Sequence, residues 1–321
     1  NLAISFLKAN IVFALWGHPG IGKSALGQLL ADQFNLEFID IRLGQIDPVD
    51  LNGFIHKDEK TCTFDYLPWA RFPLEGQELP PKLDKDGNLQ YEEVAVRQAD
   101  GSVKIERQIK RYAGWLIMFD EINTAPRQNL AASYKIFLDR MVGSRKLHSR
   151  CRLMMGGNLV GEGLAGALPS PLVSRAAHIV MTPELTPSVR QILGPSISAF
   201  LTNHPKFIYA EPDHPNTPFP TLRTWDMVRQ HQKANGDTSE LEAIAAIVGT
   251  AAAVSYVSFS QQERELIELI KGVEPFPLER SQDLLDYLLC DIGELQKHMH
   301  RFAPEWNTIA KVRVESMLNP E

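Results

Sequence analysis

The stretch that most constrains the fold is GHPGIGKS, residues 17 to 24, which directly follows the apolar run IVFALW. It has the spacing G-x-x-x-x-G-K-S, in which glycines let backbone N–H groups turn inward around an anion. A helix that begins at the lysine points its positive end at the same place. Because the apolar run is typical of a buried strand and a helical pattern follows Lys23, the stretch predicts a strand, a phosphate-binding loop and a helix.

Each residue of this loop has an expected part in holding a nucleoside triphosphate. The glycines Gly17, Gly20 and Gly22 supply the turn. Lys23 would reach the β and γ phosphates, and Ser24 would ligate Mg²⁺. The residues expected to contact the nucleotide are Gly17, His18, Pro19, Gly20, Ile21, Gly22, Lys23, Ser24 and Ala25. The ligands predicted on this basis are ATP and Mg²⁺.

A second motif, WLIMFDEIN, ends a hydrophobic strand in two adjacent carboxylates, Asp120 and Glu121. Asp120 is placed to hold Mg²⁺ through its water shell, and Glu121 is placed to polarise an attacking water. The alternative is that the pair only caps the helix that follows. Because a phosphate-binding loop stands upstream, the catalytic interpretation is favoured.

Short apolar runs alternate with helical patterns through the first half of the chain. The runs typical of strands buried on both faces are residues 11–16, 36–41, 115–119, 151–155 and 176–180. This alternation predicts an α/β fold with a five-stranded parallel sheet wrapped by helices. After Thr182 the patterns are helical. We therefore expect a nucleotide-binding core over residues 1–182, followed by a helical lid and a C-terminal helical extension over residues 183–321.

Residues 82–112 are charged and stand between two of the predicted strands. Within them, Asp100–Gly101 is a turn signal with alternating apolar residues on either side, which is the pattern of a β-hairpin. We expect an exposed hairpin inserted into the core.

The longest uncharged stretch contains the Ala-rich segment Ala243–Phe259, which is short for a membrane-spanning helix. The residues SQQE come directly after it and predict a capping box that opens another helix at about Ser260. We expect a buried helix of a helical domain and no membrane insertion.

The net charge and the cysteines argue against several kinds of partner and site. The formal net charge of −6 over 321 residues provides no broad positive field, which makes nucleic acid an unlikely partner. The three cysteines, Cys62, Cys151 and Cys290, are far apart and predict neither a disulfide framework nor a zinc site. A cytoplasmic location fits this pattern best.

Together, GHPGIGKS, LIMFDEIN, LMMGGN and LPSPLVSRAAHI resemble the AAA+ ATPases, and within them the MoxR-type group and the related dynein-related AAA domains. The resemblance implies an AAA+ core that hydrolyses ATP. It implies that Asn158 is the polar sensor that orients the lytic water. Arg175 matches the arginine finger that reaches the neighbouring subunit's nucleotide. Arg223, in TLRTWDM, matches the second sensor on a lid helix.

The chain departs from the family pattern at three places. The family commonly has an arginine where this chain has Thr124, a proline where it has Leu222, and a phenylalanine where it has Ala176. The first departure leaves three alternatives open: Arg127 takes over the role of the missing arginine, Arg140 does so, or the role is absent.

The resemblance also implies an assembly and partners. A finger that acts in trans requires a ring, which in this family is a homohexamer whose lid and core rotate as ATP is hydrolysed. The work would be done on a protein client, together with an adaptor that carries a von Willebrand factor A (VWA) domain. The aromatic stretch FDYLPWARFPLEG, residues 64–76, is a candidate client contact along with the charged hairpin. The alternative is that these aromatic side chains pack onto the core.

Two further functions stay open at this point. The chain could be a nucleic-acid motor built on an AAA+ ring, against which its acidic balance argues mildly. It could also be a nucleotide-gated scaffold that hydrolyses little ATP, in which ATP binding only controls whether the subunits assemble.

Overall fold

The structure is a computed structural model that describes residues 2–60, 62–97, 103–159, 166–212, 214, 216–236, 240–272, 275–289 and 292–318. The chain divides into two compact units, Asn1–Thr182 and Pro183–Glu321. The turn predicted at Asp100–Gly101 and the cysteine at position 290 lie outside the described residues.

The first unit combines helices with strands. Its helices are α1 (Leu2–Lys8), α2 (Lys23–Gln33), α3 (Pro48–Asn52), α4 (Arg127–Asp139) and α5 (Ser170–Val173). Its strands are β1 (Phe13–Trp16), β2 (Leu36–Arg42), β3 (Phe54–Asp58), β4 (Thr63–Leu67), β5 (Tyr91–Arg97), β6 (Val103–Ile109), β7 (Gly114–Asp120), β8 (Met141–Val142), β9 (Arg145–Lys146), β10 (Cys151–Gly157) and β11 (Ala177–Val180).

The predicted five-stranded parallel sheet is confirmed. Its strand order is β11-β1-β10-β7-β2, and every neighbouring pair is parallel. In register, Trp16 stands beside Gly157 on one side and Val180 on the other. Because the strands are parallel, the loops after β1, β10 and β7 all leave from one edge of the sheet. That edge is where open α/β sheets bind ligands.

The two faces of the sheet pack against different helices. Side chains alternate along β7, so Met118 joins the apolar cluster under α1 and α2, while Phe119 joins the larger cluster under α4. All of β7 is buried, which explains why its sequence GWLIMFD is a continuous apolar run that ends in a carboxylate. These helices and this sheet fit an α/β P-loop NTPase core.

Among the described residues, three antiparallel strand pairs lie outside the sheet. They are β3 with β4, β5 with β6, and β8 with β9. The β5–β6 pair falls within the charged segment 82–112, and its described side chains are largely exposed.

The described part of the second unit is helical. Its helices are α6 (Pro187–Leu193), α7 (Pro195–Asn203), α8 (Leu222–Asn235), α9 (Leu241–Val248), α10 (Thr250–Lys271), α11 (Ser281–Leu288), α12 (Ile292–His298) and α13 (Pro304–Leu318). One apolar cluster is centred on Phe200, Trp225 and Tyr256, and a second on Leu284, Leu295 and Phe302.

Two expectations for this unit are wrong. The Ala-rich stretch is two helices, because Gly249 adopts a left-handed φ of 83° and a Cβ there would lie 2.6 Å from the Pro218 carbonyl oxygen. No helix begins at Ser260, since α10 runs through that residue and Ser260 is buried within it. Tertiary packing of the long helix overrides the local capping signal. Across the described residues, no helix is long and apolar enough to cross a membrane.

Candidate phosphate-binding site

The loop between β1 and α2 has the backbone of an anion cradle. Gly20 and Gly22 have φ values of 76° and 96°, which an L-residue with a side chain rarely adopts. The Ile21 side chain is buried against Gly17, where a Cβ would overlap it and would also lie 2.8 Å from the Met181 carbonyl oxygen. The glycines and the inward isoleucine therefore explain the loop's conformation.

Lys23 begins α2 and is 8% exposed. Its ammonium donates hydrogen bonds to the Gly17 carbonyl oxygen at 2.7 Å and the His18 carbonyl oxygen at 3.1 Å. It also donates to Asn158 Oδ1 at 2.9 Å. The bonds to the loop carbonyls hold the cation inside the ring of backbone where the triphosphate is expected, and the bond to Asn158 joins the loop to the end of β10.

Ser24 and Asp120 form the second contact across the site. The Ser24 hydroxyl donates to Asp120 Oδ2 at 2.9 Å, and the Asp120 carboxylate is buried at the end of β7. A hydroxyl and a carboxylate at this separation are the hard oxygen ligands that Mg²⁺ prefers, and Mg²⁺ usually takes its remaining ligands from phosphates and water. The donor set therefore fits the metal predicted from the sequence.

Glu121 follows directly and has a strained backbone. Its φ of 56° is in the left-handed region, which is uncommon for a residue other than glycine. Asp120 Oδ1 accepts from the Glu121 N–H at 2.8 Å, and Thr124 Oγ1 donates to the Glu121 carbonyl oxygen at 2.9 Å. These bonds hold the turn in a conformation that costs energy, as is common for residues at functional sites.

The Glu121 carboxylate lies beside the turn that follows β2. A Cβ on Gly44 would lie 3.6 Å from Glu121 Oε2. The buried amide of Asn129 holds this turn by donating to the carbonyl oxygens of Leu43, at 2.7 Å, and Ile46, at 2.6 Å. Asn129 therefore positions the surface that Glu121 faces.

Asn158 is clamped by a residue to which sequence reasoning assigned no role. Asn123 Oδ1 accepts from the Asn158 N–H at 3.1 Å, while Asn123 Nδ2 donates to the Asn158 carbonyl oxygen at 2.8 Å. Gly156 and Gly157 make room for this arrangement. A Cβ on Gly156 would lie 2.5 Å from Asp120 Oδ1, and one on Gly157 would lie 2.8 Å from Asn123 Oδ1. The Gly-Gly pair at the end of β10 is a sequence signal of close packing at this point, and it does not identify Asn123 as the partner.

A third carboxylate, Asp40, lies on β2 next to the site. Burial raises its pKa, and the negative charge of Asp120 raises it further, against lowering by Arg42 and Arg71. Its Oδ1 is buried and has no hydrogen bond to the described residues, while the Arg71 guanidinium donates to the Asp40 backbone oxygen at 2.8 Å. Asp40 thus adds negative charge beside Asp120 and Glu121.

Arg175 is not brought to the phosphate loop of its own chain. It is exposed, and its guanidinium makes no hydrogen bond or ion pair with the described residues. It precedes β11, whose first residue Ala177 stands beside Phe13, at the start of β1. The loop begins four residues after Phe13, which is about 13 Å further along the strand. Arg175 therefore lies near the end of the edge strand that is opposite to its own phosphate loop.

Arg223 belongs to the second unit, where it is exposed in the first turn of α8 beside the capping residue Thr221. A cation at a helix N-terminus opposes the helix dipole, so this placement does not stabilise the helix.

Arg140 and Arg127 are the two candidates for the role of the arginine that the family has at the position of Thr124. They lie in different parts of the first unit. Arg140 donates to the Cys151 and Asn10 carbonyl oxygens, at 3.4 and 3.3 Å. That position is at the start of β10, at the opposite end of this strand from the phosphate side. Arg127 is exposed at the start of α4.

The aromatic stretch 64–76 was expected either to contact a client or to pack onto the core, and its two halves differ in burial. Phe72 is fully buried in the core, and Trp69 packs on it with ring centroids 6.3 Å apart. Phe64 is 65% exposed and meets Tyr66 edge to face at 6.1 Å on β4. The alternative of core packing is correct for the second half of the stretch, and the first half stays open to solvent.

Among known proteins, no family model matches the chain and no curated protein does. A crystal structure of a "putative ATPase" from Cytophaga hutchinsonii matches with a TM-score of 0.36 and 14% sequence identity. The match covers 96% of this chain and 77% of that chain. A similarity of this size does not support the fold assignment, which rests on the strand order and the loop geometry described above.

Proposed function

We propose that the protein is a ring-forming ATPase of the AAA+ type, close to the MoxR-like group, that hydrolyses ATP to remodel a protein client in the cytoplasm. The observation that carries this proposal is the convergence of Lys23, Ser24, Asp120 and Asn158 at one edge of the sheet, joined by hydrogen bonds of 2.9 Å. A cation, two metal-type oxygens and a polar side chain at a strand end are the parts that phosphoryl transfer to water requires.

Each of these four residues, together with Glu121, is assigned a task in the hydrolysis of ATP. The backbone amides of the loop and the Lys23 ammonium would bind the β and γ phosphates of ATP. Ser24 and Asp120 would hold Mg²⁺, which when bound supplies positive charge against the phosphate oxygens. Glu121 would orient a water and accept its proton at the carboxylate. Asn158, held by Asn123, would fix the position of that water.

The remaining positive charge is assigned to Arg175 of the adjacent subunit. Because Arg175 stands at the far end of the edge strand, it can complete a site only in another copy of the chain. An arginine supplied in trans contributes about 10³ to 10⁵ in rate to related reactions. A head-to-tail interface that repeats and closes makes a ring, for which we propose a homohexamer.

Arg223 is proposed as a second sensor that closes over the nucleotide. Its unfavourable placement at a helix N-terminus is explained if the side chain serves a phosphate rather than its own helix.

The proposed contact for a protein client is the β3–β4 hairpin. Phe54 and Phe64 on this hairpin are 70% and 65% exposed, and Ile55 is 60% exposed. The strand register places Ile55 and Phe64 on one face of the hairpin and Phe54 on the other. Exposed apolar side chains that share a face are typical of protein-binding surfaces. A VWA-domain adaptor is proposed on the family resemblance.

The proposal is tested by steady-state ATPase assays across protein concentration, and by the Glu121→Gln variant. The specific rate should rise as the ring assembles. Glu121→Gln should retain ATP, stop turnover and capture a client in a pull-down with ATP. The matched control is Glu75→Gln, which changes an exposed carboxylate of the same unit. ATP hydrolysis by Glu121→Gln at the wild-type rate would refute the assignment.

A further inference from the structure

A histidine on the edge strand joins the loop strand to the segment that carries Arg175. Trp16 Nε1 donates a hydrogen bond to His178 Nδ1 at 2.8 Å, and His178 Nε2 lies 2.9 Å from the Val173 carbonyl oxygen. The two ring planes are within 10° of parallel. Trp16 directly precedes the phosphate loop, and Val173 is two residues before Arg175.

The donors and acceptors define one tautomer of His178. The indole N–H of Trp16 can only donate, so His178 Nδ1 must accept and carries no proton. The proton of the neutral ring is then on Nε2, which donates to the Val173 carbonyl oxygen. His178 therefore bridges Trp16 and Val173, accepting a hydrogen bond at Nδ1 and donating one at Nε2.

One end of this bridge is rigid. Trp16 is the last residue of β1, which is paired on both sides within the sheet. Its indole fills the space over Gly157, where a Cβ would overlap the ring. The same space borders Asn123 Oδ1, the acceptor that clamps Asn158. The bridge thus starts from the packed end of β10.

The other end of the bridge has little support of its own. Helix α5 is four residues long, which is a single turn and too short to be stable alone. Its side-chain anchor in the core is Leu172, which is fully buried. Arg175 follows in a turn where its N–H bonds the Leu172 carbonyl oxygen at 3.1 Å. The bond from His178 is therefore a second attachment of this turn to the sheet.

We propose that His178 is a positioning residue that, through Trp16 and the Val173 carbonyl, holds the Arg175 turn at the orientation in which Arg175 enters the neighbouring subunit's site. The inference rests on the proposed function and adds to it a residue that acts for the neighbour rather than for its own nucleotide. A substitution of His178 should therefore lower the ATPase activity when it is in the subunit that lends Arg175. The same substitution in the subunit that binds ATP should leave the activity unchanged.

Mixed assemblies separate these two subunits. A Glu121→Gln chain can only lend Arg175, and an Arg175→Ala chain can only supply an intact nucleotide site. Adding His178→Phe to the lending chain should lower the activity of the mixture about ten-fold, since small misplacement of a catalytic group is costly. Adding it to the ATP-binding chain should change the activity less than about two-fold. His178→Gln, which offers one acceptor and one donor, should restore most of the loss.

The molecule contains a matched control. Trp115 and His148 form a second tryptophan–histidine pair with centroids 4.9 Å apart, at the opposite ends of β7 and β10 from the phosphate site. His148→Phe should leave the mixture unchanged in either chain. An independent readout is the Trp16 indole N–H resonance in ¹⁵N-tryptophan-labelled protein, which His178→Phe should shift and His178→Gln should largely preserve.

Equal effects of His178→Phe in both chains, or none in either, would overturn the role of His178, as would an unchanged Trp16 resonance. If the parent mixture without His178 changes recovers no activity, the proposed function fails first and the inference falls with it.

Discussion

Lys23 and Arg175 both bear on the proposed chemistry, and the surroundings of these two cations are opposite. Lys23 is 8% exposed and donates to two loop carbonyls and to Asn158. Arg175 is exposed, and its guanidinium makes no hydrogen bond or ion pair with the described residues. The first cation is preorganised by its own chain, whereas no side-chain contact with the described residues holds the second. Under the proposed function, one chain builds the binding half of the site and another copy supplies the charge that completes it.

The strongest test of that contrast removes the exposed cation. Arg175→Ala should leave ATP binding intact, because the guanidinium makes no hydrogen bond or ion pair with the described residues, yet lower the turnover rate about 10³-fold or more. Arg150→Ala is the control, since Arg150 is also exposed but lies at the amino end of β10. Steady-state ATPase rates and nucleotide-binding titrations give both quantities. Loss of binding in Arg175→Ala would mean that Arg175 serves its own site.

The next effect in size concerns Glu121. Replacing it with glutamine removes the proton acceptor but keeps the shape of the turn, so turnover should fall about 10²- to 10⁴-fold. ATP affinity should change little, because Lys23 and the loop are untouched. Single-turnover measurements with excess enzyme isolate the chemical step from nucleotide release. A fall in affinity without a fall in the chemical rate would place Glu121 in binding.

A smaller effect is expected at Asn123. Asn123→Ala leaves the Asn158 N–H and carbonyl oxygen without their partner, which should cost about 1–3 kcal/mol of unfolding free energy. The turnover rate should fall about ten-fold through misplacement of Asn158. Urea unfolding and ATPase rates are measured together, with the exposed Asn52→Ala as control. An unchanged rate at lowered stability would make the clamp purely structural.

The smallest effect is a gain in stability at Asp40. Because the folded protein raises the pKa of this carboxyl, the ionised form opposes folding at neutral pH. Asp40→Asn should therefore raise the unfolding free energy by less than about 1 kcal/mol at neutral pH. The gain should vanish as the pH falls below the ordinary carboxyl value of 3.8, where both states are protonated. Thermal unfolding from pH 3 to pH 8 measures it, and a gain independent of pH would contradict the ionised carboxylate as its cause.

Local sequence patterns predicted much of the fold but missed contacts between distant segments. The strand of each apolar run was predictable because burial on both faces leaves a continuous signal, as in GWLIMFD. The Asn123–Asn158 clamp and the Trp16–His178 bond join residues 35 and 162 positions apart, so no local pattern reveals them. The helix start predicted at Ser260 was wrong for the same reason, since packing of α10 decides it.

The most direct measurement of the central claim mixes two inactive proteins, Glu121→Gln and Arg175→Ala, in equal amounts. The account predicts recovered ATPase activity, because an Arg175→Ala chain keeps Glu121 and can receive Arg175 from a Glu121→Gln neighbour. With random assembly into rings, about one quarter of the interfaces should be competent. If mixed assemblies form and hydrolyse no more ATP than either protein alone, Arg175 does not complete a neighbour's site and the account is contradicted.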